Sequence, residues 1–157
     1  MDGSNLAWKA LGLGAIAGMR SMAAPATLSR ALERGDIGSL DATPFAAFGY
    51  SGVSTVLRMF EIGEFIVDKL PIAPSRNSPP PLLGRAASGA FVGAALFASA
   101  GRRAAAGGIL GATSALATAY ATERLRLQIA ERLGAPDPVV ALLEDGLVLL
   151  AGARLLP

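Results

Sequence analysis

From Ala104 to Thr122 the chain runs for 19 residues without a charged side chain. That is the length and composition a helix needs to cross a hydrocarbon layer about 30 Å thick. Ala86 to Gly101 and Ala42 to Leu57 are each 16 residues free of charge. Ala10 to Ser29 is interrupted only by Arg20, and Val139 to Ala153 only by Glu144 and Asp145. The whole chain is 157 residues, 52% apolar and 17% charged, with positive mean hydropathy, whereas soluble domains carry about 25% charge. The expected fold is all-α: a single membrane domain over 1–157, built as a bundle of four to five transmembrane helices. A very apolar soluble bundle is the competing reading.

The composition narrows the chemistry. Histidine and cysteine are both absent, which removes disulfides, thiol catalysis, Ser-His triads and nitrogen- or sulfur-ligated zinc. With 14 basic and 12 acidic residues, the charge is too balanced for a nucleic-acid partner. No nucleophile–base pair is recognisable, so an enzyme is not expected, and nothing names a cofactor or a metal. Ionic chemistry rests on carboxylates, arginines and a few hydroxyls.

Punctuation divides the chain. Thr43-Pro44 reads as an N-cap followed by proline at the first helical position, opening a helix that runs to about Leu70 and is loosened at "GYSG", residues 49–52. "PIAPSRNSPPP", residues 71–81, holds five of the ten prolines and reads as a stiff, non-helical linker between a first half, 1–70, and a second half, 82–157. "ERLRLQIAERLG" extends the helix after Thr122 as an amphipathic arm that Gly134 and Pro136 stop, and Asp137-Pro138 starts the last helix. "GAIAG" at 14–18 and "GAFVG" at 89–93 suggest two weakly related halves. Lys9, ten apolar residues and "MAAPA" imitate a signal peptide, but Arg20 and the helical pattern continuing to Arg30 argue for a retained first span. Five spans with the amino terminus inside would put Lys9, Lys69, Arg76, Arg85, Arg124, Arg126 and Arg132 on one side. Arg30, Arg34, Arg102, Arg103 and Arg154 would fall on the other.

Three glycine pairs four residues apart, Gly14/Gly18, Gly89/Gly93 and Gly107/Gly111, make flat grooves where helix backbones approach closely. They serve either packing within one protomer or a homo-oligomer seam. In "RMFEIGEFIVDKLP", residues 58–71, helical spacing puts Arg58, Glu61, Glu64 and Asp68 within an arc of roughly 120°. Val56, Met59, Phe60, Gly63, Ile66 and Val67 fall opposite. The charged stripe is either a solvated or interfacial face or the lining of a polar cavity in the bundle. Glu144 and Asp145 stand in the middle of an otherwise apolar span. Bare carboxylates in hydrocarbon are implausible, so Arg20, the buried cation, is expected to pair with at least one of Glu64, Asp68, Glu144 and Asp145. The remaining acids then call for a proton, a cation or a second base, with Arg58 and Arg85 the candidates.

On these residues the chain resembles a bacterial membrane family catalogued as domain of unknown function 4126. The matching positions are Gly18, Arg20 and Pro25; Glu64, Asp68, Lys69 and Pro71; Arg85, Gly89 and Ala90; and Glu144 with Asp145. The likeness covers most of the chain but little of residues 31–55. It implies a small multi-helix membrane protein whose polar residues Arg20, Glu64, Asp68, Arg85, Glu144 and Asp145 belong together, and it transfers no activity. Helical spacing adds Glu61 to that polar membrane site, and the expected location is the bacterial inner membrane. The functional expectation is a transporter or channel for a cation or a proton-coupled small solute, with the lipid bilayer as partner. The alternative is a non-catalytic scaffold whose buried charges only fix helix packing.

Overall fold

The computed structural model describes residues 3–67, 79–133 and 137–156. Among these are six α-helices and no strand: α1 (Gly3–Met19), α2 (Ala23–Arg34), α3 (Ser51–Val67), α4 (Pro79–Ser99), α5 (Ala104–Leu133) and α6 (Asp137–Leu155). A short 3-10 turn, Ala46–Gly49, precedes α3.

The first apolar stretch is not one helix. α1 stops at Met19 and α2 starts at Ala23. Pro25 supplies the reason. Its ring cannot tolerate the carbonyl four residues back in a continuing helix, and it has no N–H to bond to it. That carbonyl, on Ser21, instead accepts a hydrogen bond from Ser88 Oγ at 2.5 Å. In the first turn of α2 the missing donor costs nothing. Three pairs of neighbours give α2's direction: Gly12 lies against Leu155, Gly152 against Thr27, and Gly38 against the Ser99 carbonyl. The chain therefore turns back at 20–22, and α1 and α2 form a hairpin. Lys9 then lies toward the same end as Arg34, Arg102, Arg103 and Arg154, which corrects the two-sided charge partition expected for five spans.

Two other boundaries differ from expectation. Thr43 caps no helix: its Oγ1 accepts from the Phe45 amide at 3.2 Å, and Phe45 stands at the start of the 3-10 turn without a side-chain cap. Tyr50 is extended, so the α-helix begins at Ser51. The proline-rich linker is shorter than 71–81, because Pro79, Pro80 and Pro81 form the first turn of α4, where helical N–H groups have no intrahelical partner to lose. Residues 71–78 lie outside the described residues, as do Gly134 and Pro136. The long arm of α5 and the start of α6 at Asp137 agree with the sequence reading.

Glycine sets the packing of α1, α4 and α5. Gly14 and Gly89 both lie against the Gly111 carbonyl, Gly18 against that of Ala115, and Gly93 against that of Gly107. A Cβ at any of these would overlap backbone atoms, so only glycine permits the approach. Ser114 Oγ bonds the Leu11 carbonyl across the same seam at 2.7 Å. Gly101, with φ of 65°, closes the tight α4–α5 turn, donating to Ala98 O while the Arg102 amide bonds Phe97 O; this reversal needs a left-handed residue. The core of Leu6, Leu13, Ile16, Leu28, Val92, Leu96 and Val148 sits around α1. Phe45 and Phe48 from the 3-10 turn pack on Phe91 of α4.

Apolar side chains also cover the outside. Met59, Phe60, Ile62 and Ile66 of α3, Ile109 of α5, and Leu142, Leu143, Leu147 and Leu150 of α6 are all more than half exposed. Two helices, Pro79–Ser99 and the Ala104–Ile129 part of α5, are long and apolar enough to cross a membrane. Only 33% and 22% of those windows are buried, the reverse of a core helix in a soluble bundle. α1 and α3 have 17 residues each and α6 carries two acids in its middle, so length and composition alone do not bear out four to five spans.

Candidate functional site

The turn between α1 and α2 gathers three other helices around it. Arg20 is fully buried and donates from Nη2 to Asp145 Oδ1 of α6 at 2.5 Å. Its guanidinium carbon lies 5.3 Å from the ring centroid of Phe65 on α3, within the range in which a cation is attracted to an aromatic face. Glu64, on the same helix one residue earlier, addresses the turn's backbone. Its Oε1 accepts from Ser21 N at 2.8 Å and Ser21 Oγ at 2.6 Å, and its Oε2 from Met22 N at 2.8 Å. A carboxylate at a helix N-terminus is favoured by both the unmet N–H groups and the helix dipole. Here that carboxylate comes from another helix, because no side chain of Met22 caps α2. Ser88 of α4 completes the ring through its bond to Ser21 O.

The sequence reading asked what neutralises four acids with one arginine. Arg20 goes to Asp145. Glu64 is satisfied by two amides and a hydroxyl rather than by a second base. Glu144, the neighbour of Asp145, is partly exposed, as a rotation of about 100° between adjacent helical residues requires. Asp68 lies outside the described residues. Arg85 is buried on α4, one turn before Ser88.

The described part of the charged stripe of α3 is divided: Glu64 meets the α1–α2 turn beside Arg20, whereas Glu61 is buried and Arg58 is exposed. These last two lie along α2. Glu61 pairs with Arg30, 3.6 Å between Oε2 and Nη2. Arg58 donates to Glu33 Oε2 at 3.0 Å and to Ser54 Oγ at 3.1 Å, so it is not the second base for the mid-chain acids. The opposite face, with Met59, Phe60 and Ile66, points out, and a Cβ on Gly63 would meet nothing within 4 Å. The helix is inverted in this sense: Glu61 is buried and Arg58 sits at the exposed edge, while Met59, Phe60 and Ile66 point outward. In water each large apolar side chain left exposed forgoes about 1.5–3 kcal/mol of burial.

The site thus divides into two groups. Arg20, Asp145, Glu64, Ser21 and Ser88 form a closed joint. Arg30, Glu61, Glu33 and Arg58 form an ionic ladder between α2 and α3. Ser88, Phe65, Glu33 and Arg30 were not singled out as site residues; single serines, aromatics and charges carry no spacing signal by themselves. Ser21 adjoins Arg20, and Pro25 four residues later was the one local sign that the Ser21 carbonyl needed an outside donor.

No curated protein and no solved structure matches the chain. The sequence profile of a family described as a domain of unknown function, DUF4126, matches residues 8–154, a span holding Arg20, Glu64, Arg85, Asp145 and all six seam glycines. The chain therefore belongs to the DUF4126 family.

Proposed function

We propose that this is a multi-pass protein of a bacterial inner membrane that passes a cation or a proton-coupled small solute, with the α1–α2 turn as its working centre. The observation carrying the reading is the Arg20–Asp145 pair at a helix reversal, Arg20 fully buried and Asp145 nearly so, inside a molecule with many large apolar side chains on its outside. Ionisable residues within apolar spans are rare and mark pathways. Interrupted helices in transporters place their free ends at such centres. α2 is too short to span: 12 residues rise about 18 Å. It returns within the bundle, where non-spanning backbone is tolerated. The test is flux in proteoliposomes, with a panel of monovalent and divalent cations and an imposed pH gradient. Flux in the wild type, lost in Asp145→Asn and Glu64→Gln proteins that still fold, supports the reading. A folded wild type that is silent across the panel removes it.

A second reading has its own support. Glu64 is fully engaged by the protein's own donors, as expected of charges that only specify helix packing. On this scaffold reading Arg20→Leu/Asp145→Leu, which replaces the pair with hydrocarbon, keeps stability and every cellular role.

A further inference from the structure

Between α2, α3 and α6 lies a cavity of about 200 Å3, separate from the Arg20 joint. At about 30 Å3 per water, it holds several waters or one small polar group. Thr27, Arg30, Arg34 and Glu61 supply its polar lining, and Val148 and other α6 residues form an apolar wall. Gly152 keeps it open: a Cβ there would come within 3.0 Å of Thr27 Oγ1.

We propose that this cavity binds a phosphate group. Arg30 and Arg34 are four apart on α2, so both guanidiniums reach the same side of the helix. They face one carboxylate, Glu61, leaving the cavity with a net positive charge. The Arg30–Glu61 separation of 3.6 Å exceeds a hydrogen bond, so Glu61 holds Arg30 in place without accepting from it. Arg30 Nε donates to the Ala26 carbonyl at 3.3 Å, which leaves the terminal guanidinium nitrogens for the cavity. Glu33, the other nearby acid, is taken by Arg58. Arg34 is exposed and makes no ion pair among the described residues. Two guanidiniums and a hydroxyl match the several acceptor oxygens of a phosphate better than a spherical anion. The same chemistry comes from an anionic lipid headgroup, whose glycerol would lie on the α6 wall, or from a soluble phosphate ester. The inference does not depend on the transport reading.

The experiment is thermal unfolding of the full chain in a neutral detergent, with inorganic phosphate, glycerol phosphate, short-chain phosphatidylglycerol, and succinate or chloride at matched ionic strength. The expected result is a rise in Tm of about 5–10 °C at a hundredfold excess over Kd with at least one phosphate compound. Arg34→Gln and Thr27→Val should reduce it, and Arg30→Gln/Arg34→Gln should abolish it. Arg103→Gln, in the exposed α4–α5 turn, should leave it intact. A shift with phosphatidylglycerol alone assigns a lipid headgroup. A shift with glycerol phosphate or inorganic phosphate assigns a soluble ligand. The proposal is overturned by no shift with any phosphate compound, by an equal shift with succinate or chloride, or by a shift that survives the double substitution. Because Arg34 is exposed, Arg34→Gln folds as wild type and keeps the comparison interpretable.

Discussion

Arg20 and Asp145 are each expensive to bury alone, and the structure spends one on the other. Removing one member of a buried pair strands its partner, which costs about 3–5 kcal/mol, whereas replacing both with hydrocarbon is often neutral. Arg20→Leu should therefore lower stability by that order, and Arg20→Leu/Asp145→Leu should recover most of the loss in the same unfolding assay. A double variant as unstable as the single one would place the main partner of Arg20 elsewhere. Glu64 makes a different prediction. Glu64→Leu leaves the half-buried Ser21 and Met22 amides without their acceptor, at up to about 1–3 kcal/mol each, the cost of a buried unsatisfied group. Amide exchange should accelerate selectively at the start of α2, while uniform acceleration across the bundle would mean that Glu64 acts on packing instead. That Arg20 would find an acid was legible, since charge cannot stay bare in an apolar run. Which acid was not, because the choice depends on how α6 lies against a turn that apolar periodicity does not announce.

At the scale of elements, the glycine seam and the inverted helix carry the structure. Gly93 abuts the Gly107 carbonyl, whereas Gly63 and Gly84 have open space beside them. Gly93→Leu should thus cost about 1–3 kcal/mol through overpacking, and Gly63→Leu should leave the melting temperature unchanged. Similar effects at both sites would contradict the seam. The glycine spacing was readable, as were the start of α6 at Asp137 and the long arm of α5, since caps and charge-free runs are local. The reversal at 20–22 was hidden, because residues on either side continue one apolar pattern and only Pro25, three residues into α2, betrays it. The stripe on α3 was legible as a stripe. Its target was not: Glu61 and Arg58 meet Arg30 and Glu33 across a loop whose path no periodicity encodes.

Across the whole molecule an apolar core coexists with buried Arg20, Glu61, Arg85 and Asp145 and with many large apolar side chains on the outside. Water cannot stabilise that surface, so the protein should leave membranes with detergent and remain in them under carbonate or high salt; release by carbonate would make it peripheral. The distance in sequence between Arg20 and Asp145 bears on how the molecule is made. The two are 125 residues apart, so at 5–20 residues per second roughly 6–25 s separate their synthesis. Throughout that interval the Arg20–Asp145 pair of the finished fold cannot form. A chain ended at Leu133 never forms that pair, and it should accumulate less than the full chain. The last helix to be made is thus the one that completes the contact around the α1–α2 turn.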